Sequence, residues 1–203
     1  MTPEERLDTQ LRELVELAAL VNSTLDPREI RRSAVEASTR LVGAERASLL
    51  LLESRRKQLY FEVALGDETD TLKRVRMVPG EGIAGSVLAT CTPEIIADVQ
   101  ADARHLGLAD TDTGYVTRTM LAIPLSCHGE PVGVLEIINK RGGHFTAADL
   151  ELGVALGNHI AVAVENARLY ERLRKGYLEA WVYAALLAAL LVGLGGWLLA
   201  VTS

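Results

Sequence analysis

The chain has 203 residues, 49% of them hydrophobic, and a net charge of −6, which fits one domain with a real core plus extensions. The acidic balance gives no support to nucleic-acid binding, which shows as a basic patch or stripe. Cys91 and Cys127 are too few for a disulfide framework and suit a reducing cytoplasm, and His105, His128, His144 and His159 lack the spacing of a zinc helix, so neither a metal nor a cofactor is expected.

Two helices come first in chain order. Thr2, Pro3 and Glu5 supply an N-cap, a proline at the first helical position and a capping-box acid, and Asp26, Pro27 and Glu29 repeat the device. Leu7, Leu11, Leu14, Ala18 and Val21 alternate at four- and three-residue spacing, an apolar seam suited to a partner helix. The charged opening M-T-P-E-E-R-L has no apolar core of a signal peptide. Gly43 is placed to end the second helix in a left-handed cap. Strand-like runs follow at Ala44 to Glu53, Gln58 to Leu65 and Lys73 to Val78, separated by polar turns. A short glycine-rich helix, a strand at Glu94 to Asp98 and a polar stretch from Val99 to Thr117 come next. Two further strands, Thr119 to Cys127 and Pro131 to Asn139, meet at a tight turn on His128 and Gly129. From Thr146 the pattern is helical. Strands in the middle and helices at both ends predict an α+β fold with an antiparallel sheet.

Gly80-Glu81-Gly82-Ile83-Ala84-Gly85 fits G-x-G-x-x-G, and Asp98 ends the next strand eighteen residues after Gly80, which imitates a dinucleotide fingerprint. Pro79 before the turn, the shortness of the helix and the hairpin that follows count against that fold. The plainer reading is a tight turn in which Gly80, Gly82 and Gly85 let a short helix pack closely on the sheet.

The blocks P-G-E-G-I-A-G-S-V-L-A-T-C-T-P-E-I-I-A-D-V from Pro79, M-L-A-I-P-L from Met120, G-V-L-E-I-I-N-K from Gly133 and F-T-A-A-D-L from Phe145 resemble a GAF domain, over about residues 23–168. The resemblance implies a six-stranded antiparallel sheet with a pocket on one face, a small-molecule sensor role and dimerisation through the terminal helices. Asn139, Lys140, Phe145 and Asp149 are similar to the N-K-F-D-E signature of cyclic-nucleotide-binding GAF domains, in which the lysine and aspartate pair; Leu150 replaces the final glutamate. Capping explains half of that pattern without a ligand, with Thr146 as N-cap and Asp149 as the capping-box acid.

A ligand is expected against the sheet beneath residues 98–119, where Asp98, Asp102, His105, Tyr115, Thr117 and Arg118 supply polar groups. Arg118 is suited to an anion such as a phosphate, while the bland alternative for each is a solvated loop side chain. No catalytic residue is expected. Free methionine sulfoxide reductases are GAF enzymes, but Ala84 stands where the resemblance would need their cysteine in the glycine-rich turn. The Cys127-His128 pair falls within the hairpin turn, away from the position of a bilin-binding pair.

Residues 181–201 carry no charge, and 21 residues of helix extend about 31 Å, the thickness of a bilayer core. Trp181, Tyr183 and Trp197 stand near its ends, and Arg168, Arg172, Arg174 and Lys175 precede it, which predicts a single-pass cell-membrane span with the N-terminal domain cytoplasmic. The expected organisation is an amphipathic helix at 1–22, the GAF-like domain at 23–168, a juxtamembrane helical linker at 169–180 and the span at 181–201, in which Ala184, Ala188 and Gly193 permit close packing of spans. At Gly176 the last helix either continues as a rigid path toward the span or bends and makes the span a tether. Two functions follow as expectations: a tail-anchored sensor acting as a parallel homodimer on an unidentified output protein, or a ligand-free dimerisation module at the membrane.

Overall fold

The computed structural model describes residues 27–53, 55–65, 72–107, 110 and 114–202, and beyond Leu173 only the side chains of Trp181 and Tyr183. The seam helix expected at 1–22 and the Asp26 cap lie outside the described residues.

Helix α1, Pro27–Val42, opens on a proline and closes at Gly43, whose φ of 68° is the left-handed cap expected there. Ala34, Val35, Ala37, Ser38 and Val42 form its buried stripe. Strands β1 (Ala44–Glu53), β2 (Gln58–Ala64), β3 (Arg76–Met77), β4 (Glu94–Ile96), β5 (Met120–Cys127) and β6 (Glu130–Lys140) form one sheet in the order β3-β2-β1-β6-β5-β4, antiparallel at each pairing. This is the six-stranded α+β architecture that the sequence predicts. Helix α2, Gly82–Thr90, follows the glycine-rich turn, and helix α3 runs Ala147–Thr202. The β5–β6 turn holds His128 and Gly129 at φ 52° and 81°, the positive values that a two-residue hairpin requires.

Two strands are shorter than the sequence suggests. Leu72–Arg74 winds into a 3-10 turn that buries Leu72, and Pro79 has no N–H for a ladder, which leaves β3 two residues. β4 stops at Ile96, before Asp98 accepts the N–H groups of Gln100 and Ala101 and turns the chain.

Alternation along β1, β5 and β6 sorts side chains to two faces. On one, Leu49, Leu51, Leu121, Ile123, Leu135 and Ile137 pack against α1 and against Leu156, Ile160 and Val164 of α3. On the other, Leu50, Leu52, Leu59, Phe61, Val134 and Ile138 meet Ile83, Val87 and Leu88 of α2. Two glycines are needed for close approach: a Cβ on Gly133 would lie 2.1 Å from the Leu50 carbonyl oxygen, and one on Gly85 2.5 Å from that of Val78.

The chain divides into two compact units, Met1–Glu165 and Asn166–Ser203. In the first, Ala147 onward is helical and its buried residues belong to the core; Ala147–Tyr170 is long and apolar enough to cross a membrane by length and composition, a test that core helices also pass, and 39% of its apolar window is buried. In the second, the backbone is helical through Gly176 and across 181–201, and Leu169, Tyr170, Leu173, Trp181 and Tyr183 are exposed. The other side chains of the expected span lie outside the described residues.

Candidate functional site

The face covered by α2 is incompletely filled. Between sheet, helix and loop lies a cavity open to solvent at its mouth. Its floor is Ser48 of β1, Phe61 of β2, Met120 of β5 and Glu136 and Ile138 of β6; one wall is the first turn of α2, Gly82 to Ala84; the rim carries His105, Asp110 and Thr117.

Glu136 lies in the middle of the floor. Register places Ser48 on one side of it and Ala122 on the other, so the three share one row of the same face. Glu136 is 8% exposed, and no cation or hydrogen-bond donor among the described residues meets its carboxyl. Burial, reinforced by the charge of Asp110, pushes its pKa up to about 7.

Asp110 organises the rim. It accepts the Thr117 hydroxyl at 2.7 Å, the Thr117 N–H at 3.0 Å and the Gln100 amide at 2.9 Å, with His105 Nε2 3.4 Å away. Burial alone would raise its pKa, but the bonds from Thr117 and Gln100 outweigh that and hold it below the usual range. Gln100 also donates to the Thr117 carbonyl, which fixes the strand of loop entering β5.

Of the residues named from sequence, His105, Thr117 and Gly82 line the cavity. Asp98 caps the turn after β4. Asp102 pairs with Arg104, whose guanidinium also grips Glu94 at 2.8 Å, and the Arg104 bonds bring the Asp102 pKa down to about 2. Tyr115 and Arg118 turn to Glu45 instead: Tyr115 donates its hydroxyl to Glu45 Oε2, and Arg118 reaches Oε1 at 2.7 Å. Burial, then the bond to Glu45, pushes the Tyr115 phenol up to about 12.

The signature residues act behind the site. Asn139, at φ 57° and fully buried, accepts the N–H groups of Arg118 and Thr119 and donates to the Val116 carbonyl and the Tyr115 hydroxyl. It thereby pins the segment that delivers Thr117. Lys140 Nζ meets Asp149 at 2.7 Å and the Val42 carbonyl at 2.6 Å, while the other Asp149 oxygen accepts the Thr146 N–H and hydroxyl. The lysine pairing and the capping box are therefore both made, by different oxygens of one carboxylate. Phe145 is buried in the core beside them.

Ser48, Asp110 and Glu136 also line the cavity, outside the set of residues expected from the sequence. Glu136 alone left a signal, as the one charge inside the apolar run of β6.

A family model described as GAF domain matches residues 26–164. The probable 3',5'-cyclic phosphodiesterase pde-5 of Caenorhabditis elegans is 34% identical over 145 residues, 67% of this chain and 20% of its own length. Dual 3',5'-cyclic-AMP and -GMP phosphodiesterase 11 of Drosophila melanogaster is 29% identical over 174 residues, 78% of this chain and 12% of its own. The chain thus spans a fifth or less of these relatives. Among solved structures, the GAF domain of a phosphoenolpyruvate-protein phosphotransferase from Coxiella burnetii superimposes with a TM-score of 0.72 at 21% identity, covering 80% of this chain and 96% of that one.

Proposed function

We propose, on the premise that this chain belongs to the GAF domain family, that it is a membrane-anchored sensory module whose cavity takes a cyclic nucleotide and which signals through a separate output protein. One observation carries the reading: the first turn of α2 forms a wall of a cavity whose other surfaces are mostly apolar. The leading N–H groups of a helix have no intrahelical partner and carry the positive end of its dipole, which suits the single anionic group of a cyclic nucleotide. Among the described residues no lysine or arginine lines the cavity, so this wall takes the part that the sequence suggested for Arg118. The purine then lies over Phe61, Met120 and Ile138. The names of the two relatives support the ligand class; because the match falls on a fifth or less of their length, their hydrolytic activity is not carried over.

The terminal helices serve as the output. Exposed Leu169, Tyr170 and Leu173 are covered by a second copy in a parallel homodimer, and residues 181–201 enter the membrane with the N-terminal domain in the cytoplasm.

Thermal melting of the full chain in detergent with cGMP, cAMP and a panel of other metabolites tests this. A ligand at a hundred times its Kd stabilises by about 2.7 kcal/mol. A flat response across the panel favours the ligand-free assembly module, and a monomer by native mass spectrometry removes helix pairing as the route of the signal.

A further inference from the structure

Glu136 is an acid where an apolar residue would pack. Its strand neighbours on the same face, Val134 and Ile138, are buried apolar side chains. The groups facing it are Ser48 from β1, Ala122 and Met120 from β5, the uncharged first turn of α2, and the rim pair His105 and Asp110. None of these is a fixed cation, and Asp110 already shares its acceptors with Thr117 and Gln100. Among the described residues the carboxyl is thus held in a cavity with its bonding capacity unspent, in a residue only 8% exposed.

A carboxyl group has two hydrogen-bonding identities. Protonated, it offers one donor and one acceptor; ionised, it only accepts. The pairing edge of adenine offers a donor, its amino group, beside the acceptor N1, and needs a donor in return. The edge of guanine offers two adjacent donors, N1–H and N2–H, which an ionised carboxylate accepts together, and also an O6/N1–H pair that a protonated carboxyl can meet. A buried acceptor facing another acceptor without a proton between them is strongly disfavoured.

We infer that Glu136 sets the base preference of this site through its own proton: protonated, it admits adenine and guanine cyclic nucleotides alike; ionised, it admits guanine and rejects adenine. The inference rests on the cyclic-nucleotide reading of the cavity. The site is then a discriminator whose selectivity for guanine rises with pH around neutrality, where burial and the Asp110 charge place the titration of this group. Asp110 tunes the midpoint, since its negative charge opposes ionisation of Glu136.

Titration calorimetry of the full chain in detergent with cGMP and with cAMP, from pH 6 to 8.5, tests it. A single group titrating near neutrality predicts that cAMP affinity falls about tenfold between pH 6 and 8 while cGMP affinity does not fall. Glu136→Gln keeps a donor and an acceptor at every pH, so it binds cAMP with a flat profile. Asp110→Asn moves the fall in cAMP affinity to lower pH, and serves also if the glutamine variant does not fold. If both nucleotides bind and the cAMP-to-cGMP ratio is constant over this range, or the slope survives in Glu136→Gln, the inference is overturned and the cyclic-nucleotide reading stands. If neither nucleotide binds at any pH, both fall.

Discussion

Ile137 and Glu136 are neighbours in β6 and face opposite sides of one sheet. Ile137 is fully buried among Leu49, Leu156 and Ile160, where two helices close the face. Glu136 faces a cavity, because on its side the sheet is covered by a helix of nine residues and a polar loop. The same alternation that hides one residue in a filled core leaves its neighbour lining a cavity. Stability and recognition are thus divided between faces: the filled side closes on an apolar core, while the open side keeps an acid, unpaired among the described residues, at a cavity.

The largest expected effect breaks the filled face. Leu156→Ala removes a fully buried side chain from between α3 and the sheet, at a cost of about 2–5 kcal/mol, read as a lower midpoint in chemical unfolding. Because the sheet's other face is untouched, the ratio of nucleotide affinities in the surviving folded protein stays unchanged. A change in that ratio would mean that the two faces are not separable.

A smaller effect sharpens the open face. The Glu136 pKa rises from 4.5 to about 7 on folding, so between those values the folded state binds more protons than the unfolded one. Stability contributed by the neutral acid is therefore complete below about pH 4.5 and is lost as pH rises to about 7, by on the order of 3 kcal/mol. The carboxylates of Glu45, Asp102, Asp110 and Asp149 run the other way, since their pKa values are lowered and their contribution is lost on acidification. Unfolding curves of the ligand-free protein at pH 5 and pH 8, set against those of Glu136→Gln, isolate Glu136. Glu136→Gln should be stabilised relative to the parent at pH 8 more than at pH 5, and parallel curves would contradict a buried ionisable acid.

Much of this division is legible in the sequence, and the part that is not has physical causes. The turn at Gly80 to Gly85, the His128-Gly129 hairpin and the alternation in β5 and β6 announce the sheet, because local backbone demands select those residues. β3 is less legible, since a two-residue strand is set by its partner and by Pro79 rather than by its own pattern. Within the polar stretch 98–119, composition cannot separate Thr117, which reaches the cavity, from Asp98, which caps a turn, or Arg118, which is drawn to Glu45 some seventy residues earlier. Glu136 stands out as a charge in an apolar run. That it sits between Ser48 and Ala122 depends on register across three strands, which no local pattern reports.

The smallest effect concerns how the filled face is fastened. Asp149 serves Lys140 with one oxygen and Thr146 with the other, so the start of α3 is held twice. Thr146→Ala removes the hydroxyl that accepts the Asp149 N–H at 3.3 Å, but leaves the Thr146 backbone N–H on Asp149 and leaves Lys140 in place. The expected loss is about 1 kcal/mol, the ordinary cost of an N-cap. In a Lys140→Met background the same substitution should cost more, because Asp149 then has no cation to hold its carboxylate in position and the two fastenings become interdependent. A double-mutant cycle by chemical unfolding reads this directly: additive losses would mean that cap and ion pair act separately, whereas a coupling above about 0.5 kcal/mol makes Asp149 the shared anchor of the helix that closes this face.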